Sequence, residues 1–292
     1  MGPAEMAFSF VKMHGLGNDF VVIDARAGGV PALDNDLIRA LADRRRGIGC
    51  DQVILISPPE VDGAARVRFW NPDGGEAGAC GNGTRCVAAL LLSETGHGAL
   101  RLETESGILG AAAAGDGLIV VDMGRPRLDW QDIPLAERMD TRVLDIRLGP
   151  LDAPVLIGPS AVNMGNPHCV FFVDNIAAHD LAKIGPMVEH HPLFPERANV
   201  SLAHVEGPRR IRLRVWERGA GITQACGTAA CAVVVAAARK GLAERRADVV
   251  LDGGTLGVDW RASDDHVLLT GPVAVSFSGM VEPEHLLPGS LS

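Results

Sequence analysis

Two cysteines stand out as groups able to do chemistry: Cys80 and Cys226, each followed by glycine and 146 positions apart in a chain of 292 residues. The segments around them are versions of each other. RVRFWNPDGGEAGACGNGTRCV from Arg66 aligns without a gap on RLRVWERGAGITQACGTAACAV from Arg212, with Arg66/Arg212, Arg68/Arg214, Trp70/Trp216, Gly75/Gly221, Ala79/Ala225, Cys80/Cys226 and Gly81/Gly227 identical. An apolar segment follows each cysteine, so each thiol is expected at a helix N-terminus. The partial positive charge there favours thiolate and lowers the thiol pKa from about 8.5. Gly81-Asn82-Gly83 and Gly227-Thr228 have little bulk, so their N–H groups can approach an anion closely. Such a pair suits removal of a proton next to a carboxylate, with the amides stabilising the enolate-like charge. One thiolate would take the proton and the other thiol return one to the opposite face, as inversion of a stereocentre requires.

Other polar residues repeat in the same order. Asn18, in Gly17-Asn18-Asp19-Phe20, falls opposite Asn166 in Gly165-Asn166-Pro167-His168, and Gln52-Val53 falls opposite Asn199-Val200. Amide, amide and cysteine therefore recur at nearly one spacing, which points to shared chemistry as well as a shared skeleton.

Competing uses of cysteine fit less well. The spacings Cys80 to Cys86 and Cys226 to Cys231 do not match zinc-ligand patterns, and His168-Cys169 would point to opposite faces of a strand. A redox pair usually lies close in sequence, and a nucleophile for acyl transfer would leave the duplication unused. Cys50, Cys86, Cys169 and Cys231 read as small core residues. Lys12, Lys183 and Lys240 are the only lysines, and none sits in a phosphate-binding context for pyridoxal phosphate. Gly15-x-Gly17 and Gly81-x-Gly83 lack the third glycine of a dinucleotide loop, so no cofactor and no metal is implied.

The elements that must position these groups read as α/β. Strands are expected at 6–12, 20–24, 53–56, 67–70, 101–104, 118–123, 143–147, 170–174, 212–216, 249–252, 256–260, 267–270 and 273–277, with a helix over 34–46. Residues 82–94 and 229–238 are apolar nearly all round, so each predicts a helix enclosed by protein. Val233–Val235 disfavours helix by propensity, and there the expectation rests on the repeat and on burial. The predicted architecture is two pseudo-symmetric α/β domains, each a curved mixed sheet wrapped around one buried helix. The expected division is 1–124 plus 272–292 carrying Cys80, and 125–271 carrying Cys226.

Composition sets the remaining bounds. A length of 292 residues suffices for two domains with their own cores. Net charge is −9, aromatic content is 4% and tyrosine is absent, which disfavours nucleic acid and anionic membranes as partners. No signal-peptide pattern or membrane-length apolar run is recognised, so a reduced cytoplasmic setting is expected.

The motifs MHGLGNDF (13–20), GCDQ (49–52), FWNPDGGEAGACGNGTRC (69–86), MGNPHCV (164–170), FPERANV (194–200) and ERGAGITQACGTAACA (217–232) together resemble the signatures of the diaminopimelate epimerase family over nearly the whole chain. The resemblance implies a cofactor-independent isomerase interconverting LL- and meso-diaminopimelate, in lysine and peptidoglycan-precursor biosynthesis. It implies Cys80 and Cys226 as the acid–base thiols, with Gly81, Asn82, Gly227 and Thr228 on the reacting carboxylate and Asn18 and Gln52 beside it. Asn71, Asn166, Asn199, Glu217 and Arg218 would bind the distant amino-acid end, and His168 and Glu217 would tune the thiols. Phe277 falls at a dimer contact of the family, implying a homodimer. The chain departs from the pattern at Pro72, at Ile222 and at Ala229, where the family usually has glycine. Racemases of proline, hydroxyproline or histidine are the nearest rivals, although they would not need a second amino-acid site. A phenazine-type isomerase would lack one or both cysteines.

Overall fold

The computed structural model describes residues 7–78, 80–150 and 152–286. Ala79, matched above to Ala225, and the expected strand start at Met6 lie outside them. The chain divides into two compact units, 1–121 with 272–292, and 122–271.

The first unit contains β1 (Phe8–Gly15), β2 (Asn18–Asp24), α1 (Asn35–Ala42), β3 (Gln52–Ser57), β4 (Ala65–Trp70), β5 (Glu76–Ala77), α2 (Gly81–Thr95), β6 (Ala99–Thr104), β7 (Gly107–Ala113) and β8 (Leu118–Asp122). β1/β2, β3/β4, β4/β5, β6/β7 and β7/β8 pair antiparallel, while β2/β3 and β4/β6 are parallel. The last strand of the chain, Ala274–Val281, adds antiparallel to β1. Asp34 caps α1 by accepting from the Leu37 N–H at 2.8 Å. The helix stops at Ala42, short of the expected 46, because Asp43 turns extended and its side chain accepts from the Arg45 and Arg46 N–H groups instead.

The second unit contains β9 (Arg147–Leu148), β10 (Leu156–Ile157), β11 (Ser160–Asn163), β12 (Pro167–Phe172), α3 (Leu181–Glu189), β13 (Asn199–Gly207), β14 (Arg210–Glu217), β15 (Gly221–Thr223), α4 (Gly227–Arg239), β16 (Arg246–Leu251), β17 (Gly254–Trp260) and β18 (Val267–Pro272). Its pairing scheme repeats the first: β11/β12 antiparallel, β12/β13 parallel, β13/β14 antiparallel, β14/β16 parallel. Register repeats too. Phe20 opposes Gln52 as His168 opposes Asn199, and Val53 opposes Trp70 as Val200 opposes Trp216. The sequence repeat is therefore a repeat of backbone ladders. Residues 143–147 are not the strand expected there. Val143 is exposed, Leu144 and Ile146 are buried, and only Arg147 pairs as strand, so the alternation marks an extended chain packing on the core without a ladder.

In each unit the strands pack around an enclosed helix. In α2, Gly81 to Ala88, Leu91 and Leu92 are buried, and in α4 every residue from Ala229 to Ala237 is buried. Burial of Val233–Val235 overrides their weak helix propensity. α4 closes at Arg239, with Gly241 at φ +70° accepting the left-handed position past the helix end.

Candidate active site

The repeat places both cysteines at the same structural point. Cys80 is the N-cap of α2 (φ −142°, ψ 112°) and Cys226 the N-cap of α4 (φ −128°, ψ 115°). Each sulfur thus sits where a helix leaves its first N–H groups unsatisfied. The Gly83 N–H donates to Cys80 Sγ at 3.4 Å; at Cys226 the counterpart Ala229 N–H bears on the sulfur without completing a full cap hydrogen bond. Cys226 Sγ lies 3.4 Å from Thr228 Oγ1 instead.

The position after the cap also differs for a packing reason. A Cβ at Gly83 would lie 2.8 Å from Phe69 Cε1 and 2.9 Å from Ile54 Cδ1, so only glycine fits. By the repeat the counterparts of Phe69 and Ile54 are the smaller Val215 and Ser201. Ala229 is accordingly buried in the first turn of α4 with its methyl group accommodated.

Around Cys80 the expected amides gather. Asn18 Oδ1 accepts from Asn82 Nδ2 at 3.0 Å and lies 3.9 Å from Cys80 Sγ, while Gln52 Nε2 donates to Asn71 Oδ1 at 3.0 Å. In the second unit, His168 Nε2 and Asn166 Oδ1 are 2.8 Å apart. Asn199 is buried, and its amide is engaged with backbone, accepting from the Arg218 N–H and donating to Pro167 O, both at 3.0 Å. Arg218 donates from Nη1 to Glu196 O at 2.8 Å, and Glu217 accepts a short hydrogen bond from Thr223 Oγ1. Phe277 is half exposed on β19, as the last strand Ala274–Val281 is labelled, edge-on to Phe10 at 5.9 Å.

Electrostatics departs from the sequence expectation at Cys226. Burial pushes this thiol well above its ordinary value and the Glu217 carboxylate beside it pushes further, in the direction opposite to helix polarity. Burial, and then the nearby Arg218 cation, lowers His168 to about 3 and keeps its imidazole neutral at physiological pH.

Sequence reasoning missed three charged residues. Arg85 is fully buried in the first turns of α2 and donates to Asn82 Oδ1 at 2.8 Å. Asp51 accepts from Asn18 Nδ2 at 2.8 Å. Glu189, also buried, accepts from Trp216 Nε1 at 2.7 Å and from the Gly219 N–H at 3.1 Å, clamping the turn that carries Glu217 and Arg218. The available signal was a charge within a segment that is otherwise apolar, as at Arg85.

The remaining thiols are core. Burial pushes Cys50 and Cys86 to about 12, and Cys169 higher still, against an ordinary value of 9.0. Above pH 9.0 the unfolded chain ionises these thiols while the folded chain keeps them protonated. Stability is therefore full below that pH and is lost as pH rises toward the folded values, by about 1.4 kcal/mol per pH unit for each such thiol. Urea midpoints measured on either side of pH 9 should fall on the alkaline side, and Cys169→Ala should flatten the slope.

The two-unit α/β fold is shared with solved epimerases and isomerases. A hydroxyproline epimerase from Agrobacterium vitis superposes with TM-score 0.68 at 16% identity, covering 95% of this chain and 93% of that one. A phenazine biosynthesis protein of the PhzF family from Bacillus anthracis gives TM-score 0.66 at 17% identity, covering 94% and 99%. At such identities the likeness defines the fold class alone. The profile of the family described as diaminopimelate epimerase matches residues 10–128 and 160–275. Relatives named diaminopimelate epimerase are 54% identical in Caulobacter vibrioides, over 94% of this chain and 97% of the relative, and 53% identical in Rhodospirillum centenum, over 98% and 96%. The chain belongs to the diaminopimelate epimerase family and is an isomerase.

Proposed function

We propose that the protein interconverts LL- and meso-diaminopimelate by a two-base mechanism, with Cys80 and Cys226 as the proton-transfer groups. The observation that carries this reading is the duplicated cap: two thiols, each at the N-terminus of an enclosed helix, within matching ladders. One thiolate removes the α-proton, the adjacent N–H groups of Gly81-Asn82 and Gly227-Thr228 hold the carboxylate as negative charge develops, and the other thiol delivers a proton to the opposite face. The reaction reverses by exchanging roles, which is why the two groups are alike.

The symmetry breaks where recognition is needed. Asn71 and Pro72 stand opposite Glu217 and Arg218 in the repeat. The Arg218 guanidinium suits the distal carboxylate, with Asn71, Asn166 and Asn199 contributing around the distal amino-acid end. Glu217 acts additionally as a tuning group: its charge raises the Cys226 pKa and its carboxylate is placed to hold the thiol proton. Glu217→Gln removes that charge, so the Cys226 pKa falls and alkylation of Cys226 at fixed pH speeds up. An unchanged pH profile would contradict the tuning role. His168, held neutral, supports the same site through Asn166. The proposed working halves are 1–124 with 272–292, and 125–271, in a cytoplasmic homodimer with Phe277 at the contact.

The direct test is LL-diaminopimelate in deuterated water under reducing conditions. Meso product carrying deuterium at the inverted α-carbon is expected. Absence of both product and label would overturn the function, and turnover of proline or hydroxyproline in its place would favour the rival substrate class.

A further inference from the structure

A continuous polar chain runs through the first unit behind Cys80. Arg85 Nη2 donates to Asn82 Oδ1 (2.8 Å), Asn82 Nδ2 donates to Asn18 Oδ1 (3.0 Å), and Asn18 Nδ2 donates to Asp51 Oδ2 (2.8 Å). Amides can point either way, since each carries a donor and an acceptor at one end. The two ends of this chain cannot. A guanidinium only donates and an ionised carboxylate only accepts, so the direction of both amides between them is dictated. Reversing either amide would set oxygen against the Asp51 carboxylate or N–H against the Arg85 guanidinium. Asn82 is 1% exposed and Arg85 is fully buried, so at that end water does not relieve the mismatch, while the Asp51 end is partly exposed.

The direction matters because Asn18 Oδ1 is also the atom 3.9 Å from Cys80 Sγ, with the sulfur as donor. We infer that Arg85 and Asp51 are positioning residues that lock this two-amide relay so that Asn18 turns its carbonyl oxygen, never its N–H₂, toward Cys80 and thereby favours the proton-bearing thiol. A reversed Asn18 would donate to the sulfur and favour thiolate. The Gly83 N–H, which also donates to the sulfur, favours thiolate, so the carbonyl of Asn18 opposes it.

The second unit supplies an internal comparison. By the repeat, Arg85 corresponds to Cys231 and Asp51 to Ala198, both fully buried and neither charged. The ladders are shared, so the fold does not require the ions. They belong to the Cys80 half alone, which makes the relay a device for treating the two thiols differently. Behind Asp51, Arg44 Nη2 donates to its other carboxylate oxygen at 2.7 Å, and Asp19 is held at about 2 because hydrogen bonds from Arg44 and Lys12 overcome its burial. Asp51 therefore belongs to an ionic cluster in which Arg44 bridges it to Asp19. The titratable groups bearing on the relay, besides Cys80, are thus Arg85 and Cys86 on α2, and Asp51, Asp19, Arg44, Lys12 and Cys50 on the β1–β3 side.

This inference rests on the proton-transfer role proposed for Cys80, but its test needs no turnover. Alkylation of Cys80 and Cys226 by iodoacetamide is followed by peptide mass spectrometry as a function of pH. In Asp51→Asn the relay is held from the Arg85 end alone, so a reversed Asn18 no longer meets a carboxylate and the lock on its carbonyl is weakened. Cys80 alkylation at a fixed pH below its midpoint should rise about three- to tenfold, as a shift of half to one pKa unit gives, with Cys226 unchanged. Loss of the Asp51 charge could act by itself, and a double-mutant cycle separates the two causes. In an Asn18→Ala background the Asp51→Asn effect should vanish. Arg85→Lys keeps a donor-only group and should leave Cys80 within about twofold of the parent. Arg85→Met should behave as Asp51→Asn does if it folds, and Asp51, partly exposed, keeps the test decisive if it does not. An unchanged Cys80 profile in folded Asp51→Asn, or the same shift with and without Asn18, overturns the relay while leaving the epimerase reading standing. Failure of the deuterium experiment with the alkylation pattern intact would do the reverse.

Discussion

Cys80→Ala is expected to lower epimerisation about 10²- to 10⁴-fold, the range of a positioned acid or base, equivalent to roughly 3–5 kcal/mol of barrier. Cys226→Ala should do the same, since each thiol is the acid in one direction and the base in the other. The two variants should differ in a second readout. With one thiol left, the enzyme can still remove and return a proton on one face, so each variant should exchange the α-hydrogen of one epimer with deuterated water without inverting it. The preferred epimer should swap between the two variants. Retention of net epimerisation within about tenfold of the parent by either variant would end the two-base mechanism. Loss of activity with no exchange in both would point to a single structural collapse, which circular dichroism would reveal. Neither replacement is expected to unfold the chain, because each removes one sulfur at a helix N-cap and leaves the apolar residues of the helix in place.

Gly185→Ala is expected to damage the recognition end of the site through packing alone. A Cβ there would lie 2.3 Å from Trp216 Cγ and 2.4 Å from Cδ2, so the indole must move. Trp216 is held by Glu189, which also holds the Gly219 N–H, and the turn between them carries Glu217 and Arg218. Overpacking of this kind costs about 1–3 kcal/mol, and its release by moving Trp216 would pull the clamp apart. The expected result is a lower melting temperature together with a raised KM for diaminopimelate. Gly207→Ala is the control: no atom lies within 4 Å of the position its Cβ would take, so stability should stay within about 0.5 kcal/mol. Equal behaviour of the two variants would refute the clamp.

Much of the candidate site was legible because chemistry of the kind proposed leaves a linear trace. Cysteine before glycine at the head of an apolar segment is a local pattern, and its recurrence 146 residues later turned a local pattern into a claim about two halves. Asn18, Gln52, Asn71 and Asn82 were found by the same alignment or family motifs. Misreadings occurred where neighbours in space decide. Residues 143–147 alternate like a strand, but only Arg147 found a ladder partner. A helix N-terminus was expected to favour thiolate at both sulfurs, yet at Cys226 burial and Glu217 push the other way. Ala229 departs from the glycine usual in the family, and it fits because Val215 and Ser201 occupy the places of Phe69 and Ile54.

The amino-acid order by itself determined the duplicated α/β plan, the two enclosed helices and the pair of N-capping thiols, because periodicity, burial pattern and repeat are properties carried along the chain. Tertiary structure alone decided how differently the two thiols are treated. Arg85, Asp51 and Glu189 act through hydrogen bonds to residues distant in sequence or on other elements, and a pKa or an amide's direction depends on what surrounds the group in three dimensions. Two cysteines with nearly the same linear context therefore sit in different electrostatic company: one faces a carbonyl held in place by ions, the other a carboxylate.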